Sequence, residues 1–206
     1  VEEKEIQDEL ASIRSLMERS SKFISLSGLS GILAGVYALI AAGLAYSIVY
    51  SGSSRVYTRL NLHTDPTPLY NLIAIAAFTL LLSIVTGVIL TTKKAKRKGQ
   101  PVWGKISQSL LFHMATPLVT GGIVILIFLF RGYYGIVGPT SLIFYGLSLV
   151  GASNFTFTMV KYLGLCEIIL GLIAACLPGY GLLFWAIGFG VLHIVYGSLM
   201  YLKYDR

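Results

Sequence analysis

An all-α integral membrane bundle of six transmembrane helices, preceded by an amphipathic helix, is the fold this sequence predicts. Three observations predict it. Of the 206 residues, 55% are hydrophobic and only 12% are charged, whereas a soluble domain carries about a quarter charged residues; the mean hydropathy is +0.77. The charges are confined to a few short segments, and the uncharged stretches between them run to span length, about 20 residues. The connections also differ sharply in Lys and Arg, which is the pattern that sets orientation in a bilayer.

Residues 1–25 form the first element. Ile6, Leu10, Ile13, Met17, Ser20 and Ile24 recur at alternating spacings of four and three, a coiled-coil seam with one polar position. Acidic residues (Glu2, Glu3, Glu5, Asp8, Glu9) crowd its start and basic ones (Arg14, Arg19, Lys22) its end, an order that suits the helix dipole. Two readings stay open. It is a cytoplasmic contact helix for a partner or a second copy, or its apolar stripe is buried against its own bundle or in the lipid surface.

The six spans predicted within 26–206 are Leu26–Tyr50, Leu69–Thr92, Ile106–Phe130, Ile136–Ala152, Phe157–Leu177 and Gly181–Leu202. The fourth is the shortest, and Gly138-Pro139 interrupts its start; a tilted or re-entrant segment is the alternative there. Orientation follows from the connection after span two, which carries Lys93, Lys94, Lys96, Arg97, Lys98 and Lys105. The positive-inside rule puts it in the cytoplasm. Six spans then place both termini in the cytoplasm of a multi-pass plasma-membrane protein. The net charge of +7 is explained by these juxtamembrane residues, so no nucleic-acid partner is expected; Lys93, Lys94, Lys96, Arg97 and Lys98 are expected to set topology and contact anionic lipid.

Ionisable groups inside a span are costly and mark functional candidates. Four stand out: Glu167, His193, His113 and Lys161. Glu167 shares a helix face with Gly164, Gly171 and Ala174, and His193 shares one with Ala186, Gly190 and Gly197. Small residues at that spacing let helices approach closely. Spans five and six are joined at Pro178-Gly179, and the two side chains are about equally far from that turn. They are therefore expected at matched depth, within direct or one-water hydrogen-bonding reach, sharing a proton. His113 lies in a stripe with Ser109, Thr116 and Thr120, beside Pro117. Proline cannot donate to the carbonyl of residue 113, so this stripe is expected to wall a cavity. Lys161 is expected to snorkel toward the cytoplasmic interface. The stripe Gly31, Gly35, Ala38, Ala42 in span one reads as helix packing, with a dimer interface as the alternative.

No phosphate loop, HExxH or paired-cysteine metal motif is present. Gly28-Leu29-Ser30-Gly31 and Gly151-Ala152-Ser153-Asn154 are each similar to the serine motif of rhomboid proteases, which also have six spans and a histidine in the last. The likeness ends with these four residues. Ser30 belongs to the first span and Ser153 to a turn, so neither is expected to meet His193. Cys166 and Cys176 lie on different faces of one span, which precludes a bridge between them.

The function expected from these residues is a non-enzymatic regulatory or sensory membrane protein that binds a ligand or partner, forms a homo-oligomer and needs no cofactor. The alternative is a small transporter or channel with a proton or cation path through Glu167, His193 and His113. A third reading is a b-type haem held by His113 and His193.

Overall fold

The computed structural model describes residues 26–50, 67–99 and 102–205, together with Gln7 and Ile13. The coiled-coil seam therefore lies outside the described residues, apart from Ile13, which is helical and exposed. No strand occurs among the described residues. Six helices are long and apolar enough to cross a membrane. They are α1 (Gly28–Tyr50), α2 (Thr67–Arg97), α3 (Lys105–Phe130), α4 (Val137–Ala152), α5 (Thr158–Cys176) and α6 (Gly181–Asp205).

The fourth segment is helical through Gly138-Pro139. A 3₁₀ turn at Tyr134–Ile136 leads into α4 and another at Ser153–Phe155 leaves it, giving a continuous 22-residue helical unit. Pro139 sits in the first turn of α4, where a missing N–H costs no hydrogen bond. Gly138 is there because the chain meets α6: a Cβ on it would lie 3.3 Å from the Gly181 carbonyl.

The helices turn sharply at glycines. α3 ends in a Schellman motif. Tyr133 N–H bonds to the Phe128 carbonyl at 2.8 Å and Gly132 N–H to the Leu129 carbonyl at 3.1 Å, with Gly132 at φ 79°, a conformation natural to glycine. Between α5 and α6, Gly179 takes φ 100°. Tyr50, at the end of α1, donates its hydroxyl to the Gly179 carbonyl at 3.5 Å.

Small residues set the two closest crossings. Between α4 and α5, a Cβ on Gly146 would lie 2.6 Å from the Gly164 carbonyl, and one on Gly164 would lie 2.7 Å from that of Gly146. Between α1 and α6, Gly28 faces the Tyr201 backbone, Gly31 faces Gly197, and Gly35 faces the Gly190 carbonyl. The stripe in span one is thus helix packing within the bundle. α2 lies against α1 and α3 against α4. Both flanking helices keep most of their surface open: none of the most apolar α2 window and 6% of the α3 window is buried, against 39% for the α4 unit. The centre of the molecule is therefore α1, α4, α5 and α6.

Candidate functional site

The site lies where α4, α5 and α6 meet. Glu167 shares the buried face of α5 with Gly164, Gly171 and Ala174, as its spacing implies. That seam packs on α4, not on α6: Gly171 abuts Leu142 and Ile143, and Gly164 abuts Gly146 and Leu149. Glu167 is wholly shielded from solvent.

His193 reaches it from α6. Its Nδ1 stands 3.4 Å from Glu167 Oε1 and 3.0 Å from the Gly188 carbonyl oxygen. A carbonyl can only accept, so Nδ1 carries the proton in that bond. In the neutral ring Nε2 is then an acceptor, and the Tyr145 hydroxyl, 2.8 Å away, donates to it. Tyr145 comes from α4. The three side chains form a line, Tyr145–His193–Glu167, that ties three helices together. Neither carboxyl oxygen of Glu167 has a hydrogen-bond partner among the described residues.

Two local features make room for this line. Residues Ala186–Leu192 of α6 are π-helical, a wider turn that recurs at functional sites. Gly188 within it has no side chain, and one is excluded: a Cβ there would lie 2.5 Å from Glu167 Oε2 and from Leu142 Cδ2. Aromatic rings close the outer side. Phe189 packs on Tyr145 at 5.0 Å and on His193 at 5.8 Å between ring centres, and Trp185 packs on Phe189 at 5.2 Å.

No known relative places this site. The chain matches no family model, no curated protein and no solved structure.

The other predicted residues do not join the cluster. His113 is exposed on α3, with Nδ1 bonded to the Ser109 carbonyl of its own helix at 2.8 Å and its ring against Phe155 at 4.8 Å. Thr116 and Thr120 are likewise exposed and donate to Phe112 and Thr116 carbonyls at 2.9 Å and 2.8 Å. The expected cavity wall is thus an outer surface. Such side chains satisfy themselves by bonding back one turn, so they need no polar neighbour. The backbone beside Pro117 faces α4 instead. Ser148 donates to the Met114 carbonyl at 2.6 Å, and Gly151 packs so near the His113 carbonyl that a Cβ would lie 3.1 Å from it.

Lys161 is exposed near the start of α5. Lys93, Lys96, Arg97 and Lys98 are also exposed, but Lys94 turns inward. Its ammonium donates to the Leu26 carbonyl at 2.6 Å and lies 5.6 Å from the centre of the Phe157 ring, which in turn stacks on Tyr204 at 4.2 Å. Ser30 and Ser153 each donate to a carbonyl three residues back, Ser27 and Val150, at 2.6 Å, so neither meets His193. Both cysteines are free. Among the described residues no three His, Cys, Asp or Glu side chains gather to hold a metal ion. His193 Nε2 is engaged by Tyr145.

Tyr145, Gly188 and Ser148 were not among the predicted residues. Tyr145 had a signal: a tyrosine in mid-span, away from either interface, requires a partner for its hydroxyl. Gly188 had none, because nothing in the sequence marks the π turn.

Proposed function

We propose that this chain is a multi-pass protein of the plasma membrane, both termini cytoplasmic, with a regulatory or sensory role and no enzymatic one. Its buried Tyr145–His193–Glu167 line acts as a proton-sharing lock between α4, α5 and α6. The observation that carries this reading is Glu167. A wholly buried carboxyl with no hydrogen-bond partner, 3.4 Å from an imidazole, is too costly to be packing alone. Residues 1–25 supply the cytoplasmic contact to a partner or a second copy. Lys93, Lys96, Arg97 and Lys98 supply the positive-inside signal and the contact with anionic lipid.

Carrier activity is the second reading, favoured by the same titratable line. Against it stands His113, which is exposed on α3 and leaves the postulated path one station short. Glu167→Gln separates the two, because it keeps the shape and removes the proton-accepting carboxylate. Purified protein in proteoliposomes carrying a pH-sensitive dye is expected to show no proton or cation flux, and the variant is expected to stay folded and equally silent. Flux in the parent that Glu167→Gln abolishes replaces the regulatory reading with transport.

A further inference from the structure

The bundle divides into two halves, each fixed by backbone contact. In one, α6 packs on α1: a Cβ on Gly35 would lie 2.6 Å from the Gly190 carbonyl oxygen and 3.0 Å from the Ile194 nitrogen. In the other, α5 packs on α4 in the same way: a Cβ on Gly146 would lie 2.6 Å from the Gly164 carbonyl oxygen and 2.9 Å from the Ile168 nitrogen. Contacts this close leave each pair no room to shift against itself. α2 joins the first half through α1, and α3 joins the second through α4.

The seam between the halves is built differently along its length. Toward the α5–α6 turn, backbone again meets its neighbours closely. Gly138 of α4 abuts the Gly181 backbone of α6, and Gly188 of α6 abuts Leu142 and Glu167. Beyond Gly188, toward the end that carries Lys94, no described glycine faces across the seam. Side chains fill it there: Leu192, Tyr196 and Met200 of α6 pack with Leu149, Val160 and Leu163 of α4 and α5. At the very end, the ring of Phe157, which begins α5, stacks on Tyr204 of α6 at 4.2 Å. The Lys94 ammonium of α2 lies 5.6 Å from the centre of that ring. Two polar links cross between the stretches. His193 meets Tyr145 and Glu167, and the Tyr196 hydroxyl lies 3.7 Å from Cys166 Sγ.

We propose that the two halves form a hinge that pivots at the Gly138–Gly181 contact and opens at the Lys94 end, with the Phe157–Tyr204 stack as its latch. Packed side chains part and re-pack far more readily than backbones in contact, which is what separates a moving seam from a pivot. Opening gives water at the Lys94 end a path to Glu167, and it needs a gap of one water diameter, about 3 Å. The halves are also joined at that end by the chain between α2 and α3. α2 stops at Arg97 and α3 starts at Lys105, a separation in sequence long enough to follow such a gap. The proposal rests on the regulatory reading of the buried line and names the side from which that line is reached.

The test is a pair of nitroxide–nitroxide distances, measured by pulsed electron resonance on the full chain in bilayers, with Cys166→Ala and Cys176→Ala as the background. One pair replaces Lys96 and Lys161, exposed residues of opposite halves near the opening end. The other replaces Tyr133 and Leu183, exposed residues of opposite halves near the pivot. Phe157→Ala removes the latch from one side. Tyr204→Leu removes the stack from the other and keeps apolar bulk, so it holds the fold if the first variant does not. Each folded variant is expected to add a population in which the Lys96–Lys161 distance is longer by about 3 Å or more, with the Tyr133–Leu183 distance unchanged. Such a population in either variant supports the hinge. A Lys96–Lys161 distance that stays as in the background, or a Tyr133–Leu183 distance that lengthens equally, overturns it. The flux measurement on Glu167→Gln decides separately what the line does: proton flux would replace the regulatory reading and leave the hinge standing.

Discussion

The two described histidines have nearly the same local chemistry and opposite fates. Each bonds Nδ1 to a carbonyl of its own helix, His113 to Ser109 at 2.8 Å and His193 to Gly188 at 3.0 Å. They differ in what Nε2 meets. For His193 it meets Tyr145 of another helix; for His113 no partner is found among the described residues, on a helix whose best apolar window is only 6% buried. A polar residue in an apolar helix is therefore not informative by itself. What decides its role is whether a neighbouring helix comes close enough to engage the side of the ring that faces away from its own backbone. That approach is set by glycines: Gly146, Gly164 and Gly171 bring α4 onto α5, whereas on α3 Gly121 meets only the Phe144 side chain of α4 and Gly122 has nothing within 4 Å of its Cβ position.

The largest effect that would break this contrast is expected at Gly146. A side chain there meets the Gly164 backbone carbonyl at 2.6 Å, and a backbone atom cannot swing aside as a side chain can. Gly146→Leu is expected to part α4 from α5, dismantle the Tyr145–His193–Glu167 line and abolish the cooperative thermal transition of the detergent-solubilised protein. Gly122→Leu, on the open helix, is expected to shift stability by no more than about 0.5 kcal/mol. Equal tolerance at both glycines would remove the distinction between centre and periphery.

A middle-sized effect is expected among the lysines that close α2. Lys94 spends its ammonium on the Leu26 carbonyl and the Phe157 ring, and a hydrogen bond to a charged group is worth about 1.5–3 kcal/mol. Lys93, one residue earlier, is exposed. Lys94→Met is expected to lower the unfolding free energy by about 1–3 kcal/mol, measured by thermal or denaturant unfolding in detergent, and Lys93→Met by less than about 0.5 kcal/mol. Equal losses would mean that the two lysines act only through net charge.

These lysines also show how much could be read from the chain. The six helices were legible because length and apolarity are properties of consecutive residues. The pairing of Glu167 with His193 was legible because a short turn puts positions equidistant from it at equal depth. Lys94 was grouped with its neighbours because composition does not reveal which of five neighbouring cations turns inward. The fourth span looked doubtful because Gly138-Pro139 reads locally as a break, yet it serves as the first turn of a helix that must approach Gly181. The contribution of α4, Tyr145 above all, is hidden for the same reason: the apparent break masks the helix that carries it. The cavity at His113 failed on a different point. A polar stripe has a satisfied state on an exposed face, through bonds to its own carbonyls, and no spacing distinguishes that state from a wall.

The smallest expected effect is accordingly at His113, and it is the sharpest test of the contrast. Its Nδ1 bond replaces nothing in the packing between helices, its ring lies tilted against Phe155, and the backbone near Pro117 is covered by α4, where Ser148 donates to the Met114 carbonyl and Gly151 packs over the His113 carbonyl. His113→Phe removes the ring nitrogens and keeps the aromatic contact. It is expected to change stability by less than about 0.5 kcal/mol, measured by thermal unfolding in detergent. A loss of folded protein as large as that from Gly146→Leu would show that the outer face of α3 is itself an interior surface. Its polar stripe would then be packed against a partner, and the boundary of the functional bundle would have to be drawn outside these six helices.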